Sequence, residues 1–274
     1  MKRLMNLRPS KATVLLLGLL PFFIAGMFYI VASDLRLAEN PSDKLLPSLA
    51  SFSDAIDRMA LTPSKRTGEY LFLNDTSASL QRLGLGILIS AVLAMLIGIP
   101  LGFIPFVRAG FSPFVAAFSM VPPMAILPIL FIVFGMGEFA KVGLIVIGVT
   151  PLIVRDLQQR VSEIPAEQLI KAQTLGGSTW TIVIRVILPQ IFPRLFDSVR
   201  LTLGTAWIFL ISAEAIAATE GLGYRIFLVR RYMSMDVILP YVAWITFLAF
   251  LFDYLLKKIT YKMFPWYTAG KENT

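Results

Sequence analysis

The chain has 274 residues, 57% hydrophobic and 15% charged, with a formal net charge of +8 and a mean hydropathy of +0.74. A soluble globular enzyme carries charge on about a quarter of its residues, so this composition points to a polytopic membrane protein. With neither Cys nor His present, Cys/His zinc sites, disulfides, thiol nucleophiles and imidazole bases are excluded.

Hydrophobic runs of about 20 residues cross a bilayer core of roughly 30 Å. The first, Thr13 to Ala32, follows Lys2, Arg3, Arg8 and Lys11. It is longer than a signal-peptide core and no A-x-A-like site follows, so it reads as a retained helix that starts inside. The polar stretch Ser33 to Ser77 is broken by Pro41, Pro47, Pro63 and Gly68. Within it Leu49 to Leu61 forms an amphipathic helix, either on the outer membrane surface or within a folded loop. Further spans fall at 80–104, 113–134, 139–154, 198–218 and 238–257, which makes six.

Arg108, Arg155, Arg160, Lys171, Arg185, Arg194, Lys257, Lys258 and Lys262 then lie inside, as the positive-inside rule requires. Arg225, Arg230 and Arg231 lie outside beside Glu220 and Asp236, where they pair locally or snorkel. The expected layout is a cytoplasmic tail 1–11, a first span 12–32, a periplasmic segment 33–78, a five-helix core 79–262 and a cytoplasmic tail 263–274. The basic balance faces anionic lipid, and its dispersal over loops argues against nucleic acid.

No G-x-x-x-x-G-K-[ST] loop occurs, so nothing marks a nucleotide site in this chain, and any driving energy comes from elsewhere or flow is passive. The pair Gly98 and Gly102 reads as a close helix-packing motif. Glu214 is the clearest mid-membrane acid, with no mid-span Lys or Arg to balance it; pathway contact and structural pairing both stay open. Pro122, Pro123 and Pro128 free backbone carbonyls in the third span, which either line a gate or form a packed kink. Asp197 with Arg200, Glu138 with Lys141, and Asp253 with Lys257 stand at helical ion-pair spacing. Phe264, Trp266 and Tyr267 form an interfacial aromatic anchor.

The inner segment 155–195 has its own organisation. Pro165 opens a helix over Ala166–Leu175, Gly176 and Gly177 end it, and Ser178 caps a second helix that runs to Pro189. The two meet at a glycine bend and present Leu169, Ala172, Trp180 and Val183 to a cytosolic partner or to the inner headgroups.

The spacing Ala172, Gly176, Val186, Leu188 and Pro189 resembles the EAA loop of binding-protein-dependent ABC importer permeases. The motif's first two positions are Ile170 and Lys171 here, so the acidic contact passes to Glu167 or Glu163. Further marks resemble the nitrate/sulfonate/taurine-type branch: Leu46-Pro47-Ser48, Ser79-Leu80-Gln81-Arg82, Val121 to Pro128, Phe134 to Glu138 with Lys141, Ala213-Glu214, and Gly221 to Tyr224. Residues 62–75 look inserted relative to that branch.

The resemblance implies an all-α type I ABC importer permease in the bacterial inner membrane, with both termini cytoplasmic. It implies two ABC ATPase subunits, which hold the ATP and Mg that this chain does not bind, a second permease copy as a homodimer, a periplasmic solute-binding protein and membrane lipid as partners. The coupling residues it implies are Glu163, Glu167, Lys171, Ala172, Gly176, Gly177, Leu188 and Pro189, with Gly176 a hinge where a side chain would clash. The solutes it implies are nitrate, taurine or other sulfonates, bicarbonate, or compounds such as urea and guanidine, and a lone Glu214 tilts toward the last group. A self-contained secondary transporter or channel is the alternative, disfavoured by the scarcity of mid-membrane charge; an intramembrane enzyme is disfavoured by the missing catalytic side chains.

Overall fold

The computed structural model describes residues 9–41, 43–64 and 68–269, all helices and connections. Lys2, Arg3 and Arg8, expected to flank the first span, lie outside the described residues. Contacts divide the chain into two units, Met1–Tyr70 with Val229–Pro240, and Leu71–Leu228 with Tyr241–Thr274.

In the first unit α1 spans Lys11–Glu39, capped by the Ser10 hydroxyl on the Thr13 N–H. Its apolar side chains, among them Phe22, Phe23 and Phe28, are exposed. The Leu46-Pro47-Ser48 motif holds its far end: Ser33 donates to the Leu46 carbonyl (2.9 Å) and Tyr29 to the Pro47 carbonyl (2.8 Å). Ser48 then caps α2, Leu49–Ile56, which continues as a π turn over Asp57–Leu61. The expected amphipathic helix is present, and Arg58 meets Asp236 at 3.1 Å.

The second unit is built on α3 (Leu71–Phe103), α6 (Glu138–Ser162) and α9 (Leu188–Ala217). Its core includes Leu83, Ala94 and Leu101 of α3, Leu144, Ile145, Val149, Ile153 and Leu157 of α6, and Ala206, Leu210 and Ala213 of α9. Glycines set the helix spacing. A Cβ on Gly98 would stand 3.1 Å from the Val154 carbonyl oxygen, and one on Gly102 2.4 Å from Val161. The Gly98/Gly102 pair is therefore a packing motif of the α3–α6 seam.

Between α3 and α6 lie α4 (Pro105–Phe118) and α5 (Pro123–Phe134), bent by 91° at the break. The expected single span 113–134 is thus two helices, because Pro122 and Pro123 supply no N–H to carry the helix across Ser119–Val121. After α6 come α7 (Ala166–Thr174) and α8 (Thr179–Ile182), then a π turn at Val183–Ile187 that runs straight into α9. Pro189 does not end the second inner helix, as expected; it sits in the first turn of α9. Lacking an N–H, it leaves the Arg185 carbonyl without its helical donor, and the chain widens to Leu188 N–H on the Val183 carbonyl. The remaining helices are α10 (Leu222–Arg230), α11 (Met235–Met263) and α12 (Pro265–Ala269).

Four helices among the described residues are long and apolar enough to cross a membrane, or five if the bent pair is one span. The sixth expected span lies in α6, whose apolar stretch gives way to Arg155, Asp156 and Arg160. One expected pairing and one expected anchor also differ. Asp253 meets Arg200 (2.9 Å) rather than Lys257, and Phe264 is buried against Phe192 and Phe196 rather than anchoring at an interface.

Candidate functional site

The segment between α6 and α9 stands out from the second unit as a knob. Its bend is a Schellman turn: Gly177 N–H bonds the Ala172 carbonyl and Gly176 N–H the Gln173 carbonyl, both 2.9 Å, with Gly176 at φ +81°. The clash expected at Gly176 belongs to its neighbour. A Cβ on Gly176 meets nothing within 4 Å, whereas one on Gly177 would stand 2.7 Å from the Ala172 carbonyl oxygen. Gly176 is required by its left-handed backbone, Gly177 by close approach.

Ser178 caps α8 through the Thr181 N–H (3.3 Å), and Gln190 of α9 donates to Gln168 of α7 (3.2 Å). Glu163 closes α6 by accepting from Gln159 and Arg160, each 3.2 Å, while Glu167 and Lys171 are exposed on α7. Leu188 is half-buried and Pro189 exposed at the base. The apolar face also differs from expectation. Leu169, Ala172 and Val183 are half-buried against the bend, and the side chains left in the open are Ile170, Leu175 (88% exposed) and Trp180 (70%).

At the proline break, Pro122 caps α5, Pro123 fills its first turn and Pro128 interrupts its interior; Pro122 and Pro128 are exposed and Pro123 half-buried. Pro128 leaves the Met124 carbonyl without an i+4 donor. Beyond them Ile132, Val133, Phe134 and Met136 are exposed.

Glu214 lies at the other end of α9 from Pro189, about 37 Å away at about 1.5 Å per residue. It is wholly buried and, contrary to expectation, balanced: Arg82 Nη1 donates to it at 2.8 Å. Ser79 donates at 2.8 Å and the Gly223 N–H at 2.9 Å. Arg82 also bonds Glu138 (Nη2 to Oε1, 2.9 Å) and the Glu220 carbonyl oxygen (2.9 Å). Lys141 joins through Glu138 at 2.7 Å, the one of the expected i,i+3 pairs drawn into this network.

A second buried acid, Asp75, completes the arrangement. It accepts from Arg225 (2.7 Å), Tyr241 (3.1 Å) and the Gly221 N–H (3.0 Å). Arg225, expected beside Glu220 and Asp236, is thus tied to α3. The N–H groups of Gly221, Leu222 and Gly223, where the chain enters α10, each end on a side chain of α3 or α9, with Leu222 N–H reaching Ser79 at 2.8 Å. Gly221, at φ +123°, is pressed on the Glu214 carboxyl, where a Cβ would come within 2.6 Å. Two carboxylates are thus locked by arginines and by a helix start. Asp75, Ser79 and Arg82 stand at i, i+4 and i+7 on one face of α3, a stripe that becomes visible only once the helix is seen to begin at Leu71.

The coupling residues expected from sequence therefore gather at one end of the unit, and Glu214 lies at the other, with α9 joining them. Residues 86–264 match the family described as binding-protein-dependent transport system inner membrane component. The taurine transport system permease protein TauC of Escherichia coli (strain K12) is 32% identical over 70% of this chain and 70% of its own. A probable ABC transporter permease of Brucella melitensis biotype 1 is 31% identical over 71% of this chain and 79% of its own. Among solved structures, the inward-facing MetNI methionine ABC transporter has a similar fold, with a TM-score of 0.55 at 22% identity over 66% of this chain and 92% of that one. An all-helical, multi-pass chain with this matched core belongs to the family of binding-protein-dependent transport system inner membrane components.

Proposed function

We propose that this chain is the membrane-spanning subunit of an ATP-driven importer, pairing with a second copy of itself and with two ABC ATPases, and receiving its solute from a periplasmic binding protein. The observation that carries the reading is the knob at 163–189, whose exposed Leu175 and Trp180 have no counterpart to pack on within the described chain. Large apolar side chains on a rigid, capped turn suit insertion into a groove of a partner. The movement received there passes along α8, the π turn and α9, one helical run from Thr179 to Ala217 that ends at the Arg82–Glu214 network. Glu163 and Glu167 supply the acidic contact at the docking face. The path runs beside the proline break, with Pro122, Pro123 and Pro128 at its wall and the exposed face of α5 toward the second copy.

The solute class favoured is the small sulfonate or nitrate. Relatives named for taurine, aliphatic sulfonates and nitrate support this, at 32%, 27% and 30% identity. The tilt toward uncharged or cationic solutes rested on an unbalanced Glu214, and Arg82 removes that basis. The test is a mild-detergent capture of the tagged chain from its own membrane, scored for a co-purifying ATPase whose hydrolysis rises with a taurine- or nitrate-loaded binding protein. A chain that captures no ATPase and moves solute alone in vesicles overturns the reading.

A further inference from the structure

A cleft of about 540 Å3 opens between α4 and α6 at the end of the second unit that leads into α7, lined by Arg108, Arg155, Asp156, Gln158, Gln159 and Ser162 with Leu152. Its one acid is already engaged, since Asp156 receives the Ser198 hydroxyl and faces Arg160 at 3.5 Å. Its two arginines are not neutralised. Among the described residues neither forms a salt bridge; Arg108 donates to the carbonyls of Leu101 (3.2 Å) and Gly102, and Arg155 to the Ser119 hydroxyl (3.0 Å).

Those neutral acceptors fix each guanidinium while leaving most of its N–H donors unused. The neighbouring amides are neutral and each already donates elsewhere, Gln158 to Ser112 (2.6 Å) and Gln159 to Glu163 (3.2 Å). Recognition in the cleft thus falls to two positive, fork-shaped donor groups, which match the paired oxygens of an oxyanion. We propose that this cleft binds a phosphate- or sulfonate-like oxyanion through Arg108 and Arg155.

Such a group has two sources. An anionic phospholipid headgroup is one, because Phe106, Phe111 and Phe114 of the same helix are exposed as an apolar flank. A free anion is the other, including a sulfonate solute leaving the path; that source deepens the permease reading and rests on it.

The full chain is placed in nanodiscs of phosphatidylcholine, as wild type, as the double variant Arg108→Gln with Arg155→Gln, and as Arg185→Gln, a control outside the cleft. Equilibrium dialysis reads binding of labelled inorganic phosphate; native mass spectrometry reads phosphatidylglycerol retained after exposure to mixed vesicles. The expected result is a loss of about tenfold in one of the two for the double variant alone. Loss for phosphatidylglycerol assigns the headgroup, and loss for phosphate assigns a free anion. Equal binding in all three proteins, or none in the wild type, overturns the site. No ATPase or flux enters the measurement, so its failure is separate from failure of the permease reading.

Discussion

Arg82 and Glu214, 132 residues apart in sequence, form a buried ion pair at 2.8 Å with side chains 4% and 0% exposed. The two ends of the pair are not equivalent. Arg82 has other anions, Glu138 and Glu220, both partly exposed, whereas among the described residues Glu214 has only Ser79 and the Gly223 N–H besides Arg82. Arg82→Gln therefore strands a buried carboxylate and costs about 3–5 kcal/mol. Glu214→Gln leaves Arg82 paired elsewhere and costs less, about 1–3 kcal/mol. Thermal unfolding in mild detergent should rank them in that order, with the double variant less destabilised than the sum; a larger loss for Glu214→Gln than for Arg82→Gln contradicts the asymmetry.

The α6 helix offers an internal comparison of two glycines. A Cβ on Gly148 would come within 2.2 Å of the Phe209 ring, which is itself buried, while one on Gly143 meets nothing within 4 Å. Gly148→Ala should lower stability by about 1–3 kcal/mol through overpacking of the α6–α9 seam. Gly143→Ala should be neutral or stabilising by up to about 1 kcal/mol, since helical glycine is entropically unfavourable. Equal melting temperatures for the two variants would show that the seam can widen at no cost.

What could be read from the chain alone follows the range of the interactions involved. The capped turn at Ser178, the glycine bend and the close-packed Gly98/Gly102 pair depend on residues within a few positions, or on a pattern that repeats along one helix, and the sequence displays both. The Arg82–Glu214 and Asp75–Arg225 pairs join residues more than 130 positions apart, so no local spacing reveals them. They also explain why α3 begins at Leu71 rather than near residue 80: Asn74, Asp75 and Thr76 look like loop residues until Glu220, Arg225, Tyr241 and Trp244 are brought to them. The break between α4 and α5 was hidden for the opposite reason. An apolar run through Val121-Pro122-Pro123 scores as one span whether it is straight or bent by 91°.

The distinction between Gly176 and Gly177 yields a test of the bend itself. Gly176 has room but a φ of +81°, which Asn tolerates better than other side chains and β-branched residues hardly at all. Gly176→Asn should therefore keep most solute-stimulated ATP hydrolysis in the assembled transporter, and Gly176→Val should lose it, with equal amounts of each chain in the membrane. Gly177→Ala should behave like Gly176→Val, because its methyl would press on the Ala172 carbonyl oxygen at 2.7 Å. Loss of hydrolysis with Gly176→Asn as severe as with Val would mean that the position is read by contact and not by backbone conformation.

Leu175 and Trp180 separate docking from folding. At 88% and 70% exposed they contribute little packing within this chain, so truncating both to Ala should leave the melting temperature of the isolated subunit within about 1 °C of wild type. In an interface, a large aromatic anchor beside an aliphatic one is where binding energy concentrates, and removing the pair should cost about 2–4 kcal/mol of association. Co-purification of the ATPase should then fall by more than tenfold, and raising the ATPase concentration should restore part of it. Ile182, 2% exposed on the inner side of the same turn, is the contrasting position. Ile182→Ala should lower the melting temperature first and weaken capture only as a consequence, since the cavity it leaves lies beneath the knob and not on its docking face. Full ATPase capture by the Leu175→Ala, Trp180→Ala chain would move the docking surface off the knob's apolar tip and onto its charged flank at Glu163 and Glu167.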